Sequence, residues 1–324
     1  MDKTFETRIV DEVYHESRSW RLVPDERPDF LCQQDGKTVL GIEVTDYFFT
    51  KVEARLEKIP GYPNSLLEGQ EFKHKDDRDA LRVETITYRK AGSDIGTDIK
   101  AILHGETPPT ADKLARLQEI VEAKSDKSPF YFSKAPKIDL LINDSTPAFF
   151  FEKSESILRP FFVSPARNAV VTSPFREVVL LTKRGREERI CIPLKANAFV
   201  AEVMLLEHLF KANEWRENAD PRAFFGILIL ALASSGFGLA RVSANAREAI
   251  FSYASIEYVY AREGKTVRDQ LVCADRESRG DLLEHIAREL ETDYRARANT
   301  LLELKAGYWA SVGVLYRAYG QAAC

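Results

Sequence analysis

The chain has 324 residues, 44% of them apolar and 30% charged, with a formal net charge of −4 at pH 7. That balance excludes a disordered or collagen-like chain and leaves room for one large domain or two medium ones with real cores. Neither half of the sequence is basic, so a nucleic-acid ligand requires a local basic patch to neutralise phosphate.

Cys32, Cys191, Cys273 and Cys324 lie far apart with no Cys-x-x-Cys pair, and the chain does not open on a basic-then-apolar leader. Both features point to reduced thiols and a cytoplasmic protein. Residues 223–240 form an uncharged run at the lower edge of membrane-spanning length, but its Ser234-Ser235-Gly236-Phe237-Gly238 end weakens a helix. With no second such run, a buried helix is the expectation and a membrane span is not.

In residues 3–18, Phe5, Ile9, Val10, Val13 and Tyr14 recur at helical spacing. At about 100° per residue Glu6 falls inside that apolar stripe, while Glu12 and Glu16 fall at or beyond its edge, Glu16 being the rival for any inward role. After the turn-rich Pro24-Asp25-Glu26-Arg27-Pro28, strands are predicted near 29–33 and 38–46. They flank Gln34-Asp35-Gly36-Lys37, whose Asp-Gly pair marks a hairpin. Strand alternation puts Glu43 and Thr45 on one face and Leu40, Ile42 and Val44 on the other.

Residues 47–108 read as a long polar excursion with a charged helical stretch around 71–91. A helix follows Pro108-Pro109-Thr110, with Leu114, Leu117, Ile120 and Val121 as its stripe and Lys124 one turn further along it. Residues 138–142 read as a buried strand. Residues 177–181 and 189–193 form a pair around Lys183-Arg184-Gly185-Arg186, completing a sheet. From about residue 197 the pattern reads as helical, over 197–213, 222–235 and a long element from 281, which sets a boundary near 196. The long element's stripe, from Leu283 to Tyr319, either packs within this second domain or pairs with another subunit. Gly307 and Gly313 favour packing.

Asp29 and Glu43 place two carboxylates on neighbouring strands, where burial is costly unless a cation or a proton compensates it. The bland alternative is a turn-proximal aspartate and an edge-strand glutamate facing solvent. Lys124 reads either as the compensating cation or as a lysine that offsets the helix dipole and snorkels outward, and Lys127 is less well aligned. Asp139 begins a strand and reads as a strand-entry residue, with a metal role as the alternative. Lys183, Arg184, Arg186 and Arg189 form the densest basic turn, suited to phosphate contacts or simply to solvent. The five histidines form no zinc-type cluster, and no phosphate loop or nucleophile elbow occurs.

Pro28-Asp29-Phe30 followed by Gly41-Ile42-Glu43-Val44-Thr45 resembles the PD-(D/E)xK nuclease superfamily over about residues 3–145. The resemblance implies an α/β restriction-endonuclease-like fold, a mixed sheet flanked by helices in residues 1–196, here followed by a helical domain in 197–324 for targeting or assembly. It implies Mg²⁺, or Mn²⁺ in its place, held by Asp29 and Glu43 with Glu6 in support, and phosphodiester hydrolysis, of DNA in preference to RNA. The family's lysine two residues after the glutamate is Thr45 here. Some members carry that lysine on the following helix, which makes Lys124 its counterpart and leaves Thr45 to orient a water or the phosphate. The other expectation is an inactive binding or scaffold subunit of a nucleic-acid-processing or defence assembly. A homodimer or a partner protein held through the C-terminal helices fits either.

Overall fold

The structure is a computed structural model that describes residues 3–14, 19–89, 96–104, 108–144, 148–149, 154–184, 188–212, 232, 235–238, 240–244, 248–254, 256–261 and 264–269. Its first helix, α1 (Lys3–Val13), buries Ile9, Val10 and Val13, the stripe expected from the spacing. β1 (Arg21–Pro24), β2 (Phe30–Gln34) and β3 (Lys37–Asp46) follow as an antiparallel meander. Asp35 and Gly36 turn between β2 and β3 with φ of 50° and 73°. Two consecutive left-handed residues match the twist of the flanking strands, which is why Asp-Gly serves there.

Next come α2 (Lys51–Lys58), α3 (Tyr62–Leu67) and α4 (Lys75–Ala80), then β4 (Leu81–Arg89) and β5 (Gly96–His104) as a separate two-stranded ribbon. α2 starts with a reciprocal cap between Thr50 and Glu53. The charged stretch around 71–91, expected to be helical throughout, is therefore helix only in α4 and strand from Leu81. Val83, Thr85, Ile86 and Thr87 are β-branched and favour the extended chain over the helix that the charges suggested.

The chain continues through α5 (Thr110–Ser125), α6 (Ser128–Phe132), β6 (Ile138–Asn143), α7 (Ser154–Val163), α8 (Pro165–Thr172), β7 (Glu177–Arg184), β8 (Glu188–Pro193) and α9 (Leu194–Ala212). The main sheet is six-stranded and mixed, in the order β1-β2-β3-β6-β7-β8, with β3, β6 and β7 parallel to one another. Every residue of β6 is buried, as a central parallel strand covered on both faces requires. α1 packs on one face against Ile42, Val44, Leu141, Val179 and Leu181. The other face, with Leu140, Ile142, Val178 and Leu180, is covered from α5 to α9. Each aliphatic side chain buried this way contributes about 1.5–3 kcal/mol.

The boundary expected near 196 falls inside α9, whose Phe199 and Val203 belong to the main core. Beyond it, the expectation of an almost wholly helical second domain is corrected over residues 241–269. β9 (Arg241–Ala244), β10 (Glu248–Tyr253), β11 (Ile256–Ala261) and β12 (Gly264–Asp269) form a four-stranded antiparallel sheet. Tyr258, Val259 and Tyr260 are strand formers that a helical reading of this stretch passes over. Phe199, Phe237 and Tyr253 meet in one aromatic cluster, with ring centroids 4.9 to 5.6 Å apart, and tie this sheet to the core. Most of 222–235 and the element expected from 281 lie outside the described residues. Among the described residues no helix is long and apolar enough to cross a membrane.

Candidate active site

Gly41 brings the two motif acids together. A Cβ there would lie 2.6 Å from Ile138 Cδ1 and 2.7 Å from Pro28 Cγ, so only glycine lets the Pro28 ring close onto β3. That contact sets Asp29 beside β3, where its Oδ2 accepts the Val44 amide at 2.9 Å. Two residues from Gly41, Glu43 stands opposite Leu140 of β6, on the sheet face covered by α5. β3 is an interior strand and Glu43 is buried, 6% exposed, so it is not an edge-strand glutamate facing solvent.

Lys124 meets Glu43 there. Its Nζ lies 2.6 Å from Glu43 Oε1 from the last turn of α5, with only 20% of the side chain exposed. Tyr131 of α6 donates to the same Oε1 at 3.1 Å. Glu43 Oε2 is buried and has no hydrogen-bond partner among the described residues. Burial pushes the Glu43 carboxyl above its ordinary value; Lys124 pulls it down and the charge of Asp29 adds to the rise. Burial and the charge of Glu43 push the Tyr131 hydroxyl well up, so it stays a donor.

The acids on the α1 side are held by a second cation. Lys3 Nζ lies 2.9 Å from Asp29 Oδ1 and 2.9 Å from Glu6 Oε2, with Glu6 buried as the helical spacing predicts. Burial works to lower the Lys3 ammonium's pKa, but its bonds to Glu6 and Asp29 hold it above the ordinary lysine value. Thr45 is half-buried on β3 and bonds none of these groups. Asp29, Glu43 and Lys124 are thus brought together, with Glu6 joined through Lys3. Lys183 and Arg184 pair through their backbones with Arg189 and Glu188 at the end of β7; their side chains, and Arg186 entirely, lie outside the described residues.

Lys3 and Tyr131 escape a reading of motifs. Lys3 carries a usable signal, since it stands one turn before Glu6 on the same helical face. Tyr131 lies 88 residues from Glu43 and only the fold joins them.

The chemistry of this group suits a hard cation. Two carboxylates with an oxygen still unsatisfied match the oxygen-ligand sites, few in protein ligands, that magnesium uses. Among the described residues no three His, Cys, Asp or Glu side chains gather closely enough to enclose a metal ion.

Asp139, at the start of β6, is spent elsewhere. Arg176 donates to both of its oxygens and the Tyr14 hydroxyl donates to Oδ2. Beside it, Glu177 accepts the backbone amides of Lys195 at 2.8 Å and Ala196 at 3.1 Å, capping α9. Buried Lys195 donates to the carbonyls of Ser173 and Phe175 at 2.7 and 2.6 Å. Burial pushes the Glu177 carboxyl up and the Lys195 ammonium down. This second ionic group is architecture that sequence reasoning did not find.

Comparison of the chain with protein-family models, with curated proteins and with solved structures finds no match, so the chemistry of the site rests on the geometry of these residues.

Proposed function

We propose that the chain is a cytoplasmic, divalent-metal-dependent nuclease that hydrolyses phosphodiester bonds in DNA on a restriction-endonuclease-like scaffold, with residues 197–324 serving targeting or assembly. One observation carries the reading: the Lys124 ammonium lies on buried Glu43, which keeps one oxygen unsatisfied beside Asp29. A lysine, a glutamate and an aspartate in that relation are the parts that phosphodiester hydrolysis needs.

Asp29 and Glu43, supported by Glu6, would hold Mg²⁺ or Mn²⁺. The bound ion would supply positive charge to the phosphate and keep water close to it. Lys124 offsets negative charge as it builds on the phosphate oxygens. Tyr131 fixes the rotamer of Glu43 from its Oε1 side and leaves Oε2 available. Thr45, with a hydroxyl uncommitted among the described residues, orients a water or the phosphate.

A second reading, an inactive binding or scaffold subunit, draws on Lys3. With Lys3 on Glu6 and Asp29, and Lys124 on Glu43, two ammonium groups already balance much of the acidic charge. Cleavage of single- and double-stranded DNA and RNA with Mg²⁺ or Mn²⁺ separates the readings. Wild type is expected to cleave while Asp29→Ala and Glu43→Ala do not. Equal activity in all three proteins rejects the site, and binding without cleavage by wild type favours the scaffold.

A further inference from the structure

Residues 124–137 run Lys-Ser-Asp-Lys-Ser-Pro-Phe-Tyr-Phe-Ser-Lys-Ala-Pro-Lys, four lysines against one aspartate in a chain whose overall charge is −4. This is a local basic patch of the kind a nucleic-acid ligand requires. Two of the four lysines are committed, Lys124 to Glu43 and Lys134 to Asp25, each at 2.6 Å. Lys127 and Lys137 are exposed and, among the described residues, take part in no ion pair. Arg27 is also exposed and precedes Pro28, whose ring meets Gly41 from beside Ala135 of this run, which places it at the same site.

Within this basic run α6 exposes two aromatic rings. Phe130 is 59% exposed and Phe132 38%, whereas Tyr131 between them is buried with its hydroxyl on Glu43. Each phenylalanine is one Cα step, about 3.8 Å, from the residue that touches the site. At about 100° per residue the two rings diverge to either side of the inward tyrosine. Exposed rings of this size lose hydrophobic stabilisation unless a ligand covers them. A duplex keeps its bases stacked on each other, so ring faces of this kind are of use only to unpaired bases.

We propose that Phe130 and Phe132 form a stacking platform for unpaired bases, with Arg27, Lys127 and Lys137 holding the phosphates, so that the site takes a single strand or a single-stranded end. The cations complement the polyanion and the rings complement its bases; a protein partner would need only the rings. This assignment rests on the nuclease reading of the Glu43 site for its purpose, but binding alone tests it.

The experiment is fluorescence anisotropy of a labelled oligothymidylate of about 12 nucleotides, against a hairpin in which the same thymidine run is paired with an adenine run, in EDTA so that nothing is cleaved. Wild type is expected to prefer the single strand. Phe130→Ala and Phe132→Ala are each expected to weaken single-strand binding about tenfold and leave duplex binding unchanged. Phe130→Trp is expected to retain affinity and Phe130→Leu to lose it, which separates stacking from general apolar contact. Lys127→Ala is expected to reduce the salt slope by about 0.7. Equal affinity for both forms, unaffected by either phenylalanine, overturns the proposal. So does a change in sedimentation of the alanine variants without a change in binding, which assigns the rings to contact between copies of the chain. Preferential binding lost in the variants, from a wild type that cleaves nothing with Mg²⁺, leaves the platform standing and removes the nuclease reading. Cleavage indifferent to both rings does the reverse.

Discussion

Two ionic groups lie on neighbouring strands of one sheet, separated by a single step of register: Glu43 stands opposite Leu140, and Asp139 opposite Ile42. Around Asp139 the partners are complete. Arg176 and Tyr14 occupy both oxygens, and in the adjoining group the Glu177 carboxylate caps α9 while Lys195 fills two carbonyls. Around Glu43 they are not, since Lys124 and Tyr131 share one oxygen and the other has no partner among the described residues. Burial alone does not separate the two, because Asp139, Glu177 and Glu43 are all buried. What separates them is unfilled valence. A buried carboxylate with both oxygens bonded holds elements together, and one with an oxygen left over can receive a ligand.

The contrast predicts opposite costs. Arg176→Met leaves Asp139 charged and fully buried, and is expected to destabilise the fold by about 3–5 kcal/mol in urea denaturation. A loss below about 1 kcal/mol places Asp139 among dispensable pairs. Gly41→Ala tests the junction that positions Asp29. Its Cβ meets Ile138 and Pro28 and is expected to cost about 1–3 kcal/mol and to abolish cleavage. Retained cleavage means that the closure of Pro28 on β3 does not set the site.

The pH dependence probes the satisfied groups on β6 from its other end. Asp144 accepts the amides of Ala148 and Phe149 and the Thr182 hydroxyl, yet burial pushes its carboxyl up from 3.8 to about 6. A carboxyl raised on folding contributes stability that is fully present below 3.8 and lost as pH rises through about 6. The stability advantage of wild type over Asp144→Asn is therefore expected to shrink between pH 3.8 and pH 7 in urea midpoints; a growing advantage contradicts the assignment. The smallest expected effect is at Lys3, whose side chain is 41% exposed. Lys3→Met is expected to change stability by less than about 1 kcal/mol. It is also expected to tighten Mn²⁺ binding about thirtyfold by calorimetry, the effect of one unit charge on a divalent ion at about 4 Å in water. Unchanged affinity means that Lys3 does not compete with a metal for Asp29 and Glu6.

Short-range patterns carried much of the fold and the centre of the site. The Asp-Gly hairpin, the inward Glu6 and the stripe of α5 that ends on Lys124 follow from turn chemistry and helical spacing, which act over a few residues. The same reasoning failed where pattern and charge disagreed, in β4, whose charged residues masked a β-branched run. It failed again over residues 241–269, whose aromatic strands stood inside a region read as helical. Partners such as Tyr131 for Glu43 or Arg176 for Asp139 are made by strand order, and no local pattern carries them.

The contact between Lys124 and Glu43 is the centre of the functional account, and single-turnover cleavage with saturating Mg²⁺ tests it most directly. Lys124→Met is expected to slow cleavage about 10²- to 10³-fold, the usual effect of removing one group that stabilises transition-state charge, with binding of the strand in EDTA weakened far less than cleavage. Cleavage by Lys124→Met at the wild-type rate contradicts the account.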